Sequence, residues 1–228
     1  MASDVKVKLS TRLIIWVGIP AALLFGGVVW IASQRSFESV LEQAGQYTRG
    51  LARLHAERLD RSLSRASKIP EGVAAALESG AFSSTGELES FLRNIVQRSP
   101  EIYGAAIAFE PESFVPGERL YSPYYYRKES GTVEFVQLGN PEYDYFRWPW
   151  YTEPKNEGRA IWSAPYFDQG GGNTVMTTYS VPFRRGEEFW GISTIDIALT
   201  QLVAEVEQLD VGESGYTFVI SRAGQFLA

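Results

Sequence analysis

Residues 174–197, TVMTTYSVPFRRGEEFWGISTIDI, read as two strands, Thr174 to Phe183 and Phe189 to Ile197, folded back on each other about Arg185-Gly186-Glu187. Strands joined by so short a turn pair antiparallel. Working backwards, Ala160 to Phe167 is a further strand, set off by the turn Gly170-Gly171-Gly172-Asn173. Ile102 to Phe109 is a short apolar run ended by Glu110-Pro111 and reads as a buried strand. Arg119 to Arg127 and Thr132 to Leu138 are two more, with Ser130-Gly131 turning between them. The helices lie on either side. Ala198 to Leu209 is a short amphipathic helix, Val73 to Leu77 a helical stretch, and Glu87 to Arg98 a helix with Ser84 or Thr85 as its cap. Before them, Phe37, Val40, Leu41, Ala44, Tyr47 and Leu51 open a run of threes and fours that continues to Ile69, one long amphipathic helix closed by Pro70. A long helix packed on an antiparallel sheet makes the fold class α+β.

Leu13 to Ala32, LIIWVGIPAALLFGGVVWIA, carries no charge. About 20 residues at ~1.5 Å each span the hydrocarbon core of a bilayer. Trp16 and Trp30 sit near the ends, where interfacial aromatics belong, and Pro20 is of a kind membrane helices tolerate. The segment is longer than a signal-peptide apolar region, and Ala32-Ser33-Gln34 is a poor cleavage site. An uncleaved anchor is expected. Lys6, Lys8 and Arg12 against Asp4 predict a cytoplasmic N-terminus, an inner (plasma) membrane location and a periplasmic or extracellular main domain.

Composition excludes several classes. The net charge of −6 argues against nucleic acid as a partner. The absence of cysteine removes disulfides, thiolate metal sites and Cys nucleophiles. The one histidine, His55, lies in the long helix without a companion and reads as structural or solvated. No catalytic group, metal site or cofactor is expected. Asp168 with the glycines at 170–172 lacks the lysine and helix of a phosphate loop and reads as a hairpin turn.

The order and spacing of local motifs resemble the double Cache sensor domains of bacterial transmembrane receptors, from Ser33 onward. The stretches are Tyr103-Gly104-Ala105-Ala106-Ile107-Ala108-Phe109-Glu110-Pro111, Trp150-Tyr151, Trp162-Ser163-Ala164-Pro165-Tyr166-Phe167-Asp168, Thr177-Thr178-Tyr179-Ser180-Val181-Pro182 and Gly191-Ile192-Ser193-Thr194-Ile195-Asp196-Ile197. The resemblance implies two PAS-like lobes on a long helix, the membrane-distal one binding the ligand. The expected organisation is a cytoplasmic tail at 1–12, a transmembrane helix at 13–32, a signalling helix at 33–70, the ligand-binding lobe at 71–209 and, from 210 to 228, the start of a second lobe. Tyr216 to Ile220 would be its first strand, which predicts that the chain is a piece of a longer receptor. YFDQGGGNTVMTTYSVPF, residues 166–183, looks most like receptors with a PP2C-type (SpoIIE-like) phosphatase output; histidine kinases, cyclases and chemoreceptors share the same input domain.

Some members bind amino acids through a Tyr, an Arg, a Trp-Tyr pair and a later Asp. Tyr143, Trp150, Tyr151 and Asp196 match four of these. Trp148 occupies the arginine position, and Arg147 beside it would point to the opposite face of an extended chain. The bidentate clamp for an α-carboxylate is therefore displaced. What remains suggests an amine-bearing ligand, amine or amino acid. Asp196 would pair with its ammonium, and Tyr143, Trp148, Trp150 and Tyr151 would form an aromatic box. Asp196 could instead be a strand-end carboxylate satisfied by backbone N–H groups or by Arg147. The expected function is ligand sensing for a cytoplasmic output, with homodimerisation through the long helix. The alternatives are a membrane-anchored partner-binding protein, and an enzyme using carboxylates such as Glu142, Asp144 and Asp168.

Overall fold

A computed structural model describes residues 14–207, 218–220 and 224. The basic N-terminal residues and nearly all of the predicted second lobe lie outside the described residues. The chain divides into two units, 1–56 and 57–228. The described part of the first unit is wholly helical. A π-helical turn, Ile14–Gly18, leads into helix α1, Ile19–Glu78. The apolar side chains of its first turns, Leu23, Leu24 and Phe25 among them, are exposed. The helix is long and apolar enough there to cross a membrane.

In the second unit, α1 corrects an expectation. Pro70 does not end the helix, which runs on for two further turns to Glu78. Proline in a helix interior removes one hydrogen bond and costs about 3 kcal/mol. Beyond it, Val73, Ala74 and Leu77 are buried in the apolar core with Ala66, and that burial offsets the loss. The boundary expected at 70/71 thus falls inside a helix.

Helix α2, Thr85–Arg98, starts as predicted. Ser84 accepts from the Glu87 backbone N–H, while the Glu87 carboxylate accepts from the Ser83 backbone N–H. The strands are β1 (Gly104–Phe109), β2 (Ser122–Arg127), β3 (Val133–Leu138), β4 (Ile161–Trp162), β5 (Tyr166–Phe167), β6 (Val175–Arg185) and β7 (Glu188–Ala198). They form one antiparallel sheet in the order β3-β2-β1-β7-β6-β4, with β5 also on β6. The β6–β7 hairpin turns through Gly186 and Glu187. Gly186, at φ 64°, holds the first of these positions, where a two-residue type II′ loop wants glycine.

The predicted strand 160–167 is two short pieces. Pro165 has no N–H for the ladder, and Ser163 bridges the gap. Its backbone N–H donates to the Thr178 carbonyl, and its hydroxyl accepts from the Thr178 N–H. The segment around Arg147 is not extended either. Tyr145–Arg147 is a 3₁₀ turn and Pro149–Glu157 is helix α3. Pro149 sits at the first helical position and Gly158 closes the helix at φ 65°. A last helix, α4 (Leu199–Glu207), follows β7.

The two faces of the sheet bury different things. One face joins Ile107, Phe183, Ile195 and Ile197 to the end of α1 and to Leu88 and Leu92 of α2. The other carries Ala106, Ala108 and Ile192 under Tyr143, Tyr145 and Trp150 from the segment containing α3.

Candidate functional site: a buried pair of carboxylates

Alternation along β7 puts Ile195 on the helix-covered face and Asp196 on the other. Asp196 stands between Thr178 of β6 and Gly104 of β1 in the pairing register. The Thr178 hydroxyl donates to Asp196 Oδ1 at 2.6 Å, and the Tyr166 hydroxyl lies 2.8 Å from that of Thr178. Asp168 follows β5. Its Oδ1 accepts from the Tyr143 hydroxyl at 2.5 Å and its Oδ2 from the Gly172 N–H at 2.7 Å. Trp150 Nε1–H donates to the Tyr143 oxygen at 3.2 Å, and Trp148 stacks on the Tyr143 ring at 4.9 Å and 11°. Trp148 also meets Tyr166, ring centroids 5.7 Å apart.

The turn after Asp168 is a fitted cradle. A Cβ at Gly171 would lie 2.2 Å from Asp168 Oδ2, and one at Gly172 would lie 2.7 Å from Met176 Cε. Only glycine lets the backbone approach the carboxylate so closely.

Asp168 and Asp196 are 3% and 4% exposed, and among the described residues no lysine or arginine forms an ion pair with either. Burial pushes the Asp196 carboxyl up to about 7; the Thr178 hydrogen bond opposes this and the charge of Asp168 adds to it. Burial also raises Asp168, against the hydrogen bonds from Tyr143 and Gly172. Two neighbouring acids that resist ionisation, with no cation beside them, form a site a positive group would complete.

Tyr143, Trp148 and Trp150 meet around Asp168, and Asp196 stands with Thr178 and Tyr166. Neither the Tyr151 hydroxyl nor the Arg147 guanidinium hydrogen-bonds or ion-pairs with Asp168 or Asp196 among the described residues. The Tyr151 hydroxyl donates to Glu110, and Lys155 pairs with the same carboxylate at 2.5 Å. Arg147 is 85% exposed at its side chain and lies 3.6 Å from Asp144. The short helices turn it out to solvent, so it does not partner Asp196 as one reading allowed. Tyr151 packs edge-on against the Trp150 ring, centroids 6.0 Å apart, so it belongs to the aromatic cluster while its hydroxyl serves Glu110 instead of the two aspartates. Sequence reasoning missed Asp168, Tyr166 and Thr178 as site residues. Two open clefts lie apart from the carboxylates, one of about 410 Å³ beside Glu110 and Lys155 and one of about 690 Å³ along Arg58, Arg61 and Arg65. The chemistry singles out the acid pair.

Comparison with known proteins agrees with this architecture. The family model described as "Methyl-accepting chemotaxis protein-like, first PDC sensor domain" matches residues 88–204. The methyl-accepting chemotaxis protein PctB of Pseudomonas aeruginosa is 33% identical over 86 residues, which cover 38% of this chain and 14% of PctB. The extracellular domain of soHK1S-Z6, assigned as a histidine kinase, superposes with a TM-score of 0.63 at 30% identity, over 76% of this chain and 65% of that one. The ligand-binding domain of PctB from Pseudomonas aeruginosa PAO1, solved with L-Gln, gives a TM-score of 0.58 at 21% identity, over 79% of this chain and 66% of that one, a likeness of fold. These relatives are chemoreceptors and histidine kinases; the phosphatase output suggested by residues 166–183 gains no support from them. The matched segment spans more than half of the chain, which belongs to the family of methyl-accepting-chemotaxis-protein-like first PDC sensor domains, a Cache-type sensor fold.

Proposed function

We propose that this chain is the input of a membrane receptor and that Asp168 and Asp196 bind the ammonium group of an amine or amino acid. The observation that carries the reading is two buried carboxylates without a cation, walled by Tyr143, Trp148, Trp150 and Tyr166. L-Gln, the ligand in the PctB structure, bears an ammonium group, and PctB is a relative in sequence as well as fold. An amino acid also brings a carboxylate. Arg147 faces solvent and Trp148 stands where the resemblance calls for arginine, so an amine without a carboxylate fits this chain best.

The lobe at 71–209 would then hold the ligand, the helix at 13–32 would anchor the chain, and Lys6, Lys8 and Arg12 would keep the N-terminus cytoplasmic. A ligand that favours one arrangement of the lobe shifts the population of states read by the output, a chemoreceptor or kinase module. Pairing of two chains through Phe37, Val40 and Leu41, all exposed here, would give a homodimer. Calorimetric titration of the full chain in lipid nanodiscs with amines and amino acids tests the site. Binding that Asp196→Asn weakens roughly a hundredfold supports it, since losing one partner of a buried charge pair costs about 2–5 kcal/mol. Absence of heat from every amine and amino acid would sink it.

A further inference from the structure

We infer that Tyr124 is a third ligand-contacting group of this site and makes it select a primary ammonium over a methylated one; the inference rests on the reading that the carboxylate pair takes an ammonium. Tyr124 comes from β2, on the same face as Asp196, and its position in the ladder is opposite Ala106. Next along β1 on that face is Gly104, opposite Asp196 on β7. Gly104 has no side chain, and the Tyr124 ring lies over it. A Cβ at Gly104 would be 2.6 Å from the Tyr124 hydroxyl oxygen, and one at Gly172 would be 3.1 Å from it. Two glycines, one in β1 and one in the turn after Asp168, therefore make room for one hydroxyl.

Among the described residues that hydroxyl meets no partner at full hydrogen-bond geometry, although the residue is 1% exposed. The other tyrosines around the acids are engaged. Tyr143 donates to Asp168, Tyr166 is paired with Thr178, and Tyr103 donates to the Gly172 carbonyl at 2.7 Å. Tyr124 lies near enough to both acids for their charges to raise its pKa, after burial itself, so it stays a neutral phenol. Its hydroxyl is turned toward Asp196 and lowers that acid as a donor does, but no group among the described residues donates to its oxygen. A buried hydroxyl left unpaired is costly, and a group that arrives with the ligand removes the cost.

A primary ammonium has three N–H donors. Asp168, Asp196 and the Tyr124 oxygen supply three acceptors. Each methyl group on nitrogen removes a donor, and full methylation leaves the Tyr124 oxygen unpaired against a methyl. Recognition of a quaternary ammonium would instead need open aromatic faces. One face of Tyr143 is already covered by Trp148.

The test is calorimetry at pH 8 on the full chain in nanodiscs, with n-butylamine, its N-methyl, N,N-dimethyl and N,N,N-trimethyl counterparts, and L-glutamine. Affinity is expected to fall at each methylation. Tyr124→Phe, which keeps the ring, should weaken n-butylamine about tenfold, as loss of one hydrogen bond to a charged group does, and leave the trimethyl compound unchanged. Should Tyr124→Phe not fold, Gly104→Ala, which crowds the same hydroxyl, carries the same expectation. Equal affinity across the methyl series, or n-butylamine binding unaltered by Tyr124→Phe, overturns the role of Tyr124 and leaves the ammonium reading standing. Binding of L-glutamine with no amine bound keeps that reading for amino acids, and the role of Tyr124 is then overturned if Tyr124→Phe leaves L-glutamine binding unaltered. No heat from any probe overturns both.

Discussion

Ile195 and Asp196 are consecutive in β7 and face opposite sides of the sheet. Ile195 is fully buried with Ile107 and Phe183, on the face that also buries Leu88 and Leu92 of α2. Asp196 is almost as buried but faces Thr178, Tyr124 and Asp168. The first face uses burial to hold the domain together. The second spends burial on groups that prefer water, and it is weaker for it. The face proposed to bind is thus the less stable of the two and is backed by one that supplies stability.

The sharpest way to break this contrast is to change the two neighbours separately. Ile195→Ala should lower unfolding stability by about 2–5 kcal/mol, read by chemical denaturation. Asp196→Asn should leave unliganded stability unchanged or raise it at neutral pH while weakening amine binding roughly a hundredfold. If Asp196→Asn destabilises as much as Ile195→Ala, the two faces do not differ as argued.

Acidity separates them next. The folded-state value for Asp196, about 7, lies above its ordinary value of 3.8, so protonation favours the folded chain. Its contribution to stability is greatest below about pH 4 and is lost as pH rises through about 7. Asp168 is shifted the same way. Melting temperatures of the wild type minus those of Asp196→Asn should therefore fall from pH 4 to pH 8. Amine affinity should rise over the same window, because the cation needs the ionised acid.

Tyr143→Phe is expected to be milder. It removes the donor to Asp168 Oδ1 and should cost about 1–3 kcal/mol, divided between stability and amine affinity. The smallest effect is assigned to Arg147→Ala, with stability and amine affinity changed by less than about 0.5 kcal/mol in the same titrations. A large loss of affinity there would mean that the bound form turns Arg147 inward.

The hairpin at 174–197 was legible because its alternation, its turn and its two-sided burial agree. Ser84 as the cap of α2 was legible for the same local reason. Pro70 misled because the rule against proline in a helix is local, whereas Val73, Ala74 and Leu77 act through the core. Helix α3 was hidden among aromatics that follow no period, because Trp150 and Tyr151 serve different partners, Tyr143 and Glu110. Pro149 and Gly158 were its only plain signals. Asp168 was hidden by its glycines. A run of glycine reads as slack, and here Gly171 and Gly172 are close-packed against the carboxylate and Met176.

The register of β6 against β7 carries one more consequence. Thr178 faces Asp196 only because the ladder counts correctly through the irregularity between Phe183 and Arg184. A slip of β7 by one residue would turn Asp196 into the aliphatic layer and Ile195 toward the acid cradle. Such a misfolded hairpin would bury a charge among isoleucines, an arrangement too costly to persist. The carboxylate proposed to meet the ligand thus also fixes the register of the strand that carries it, because the slipped pairing would leave it without Thr178.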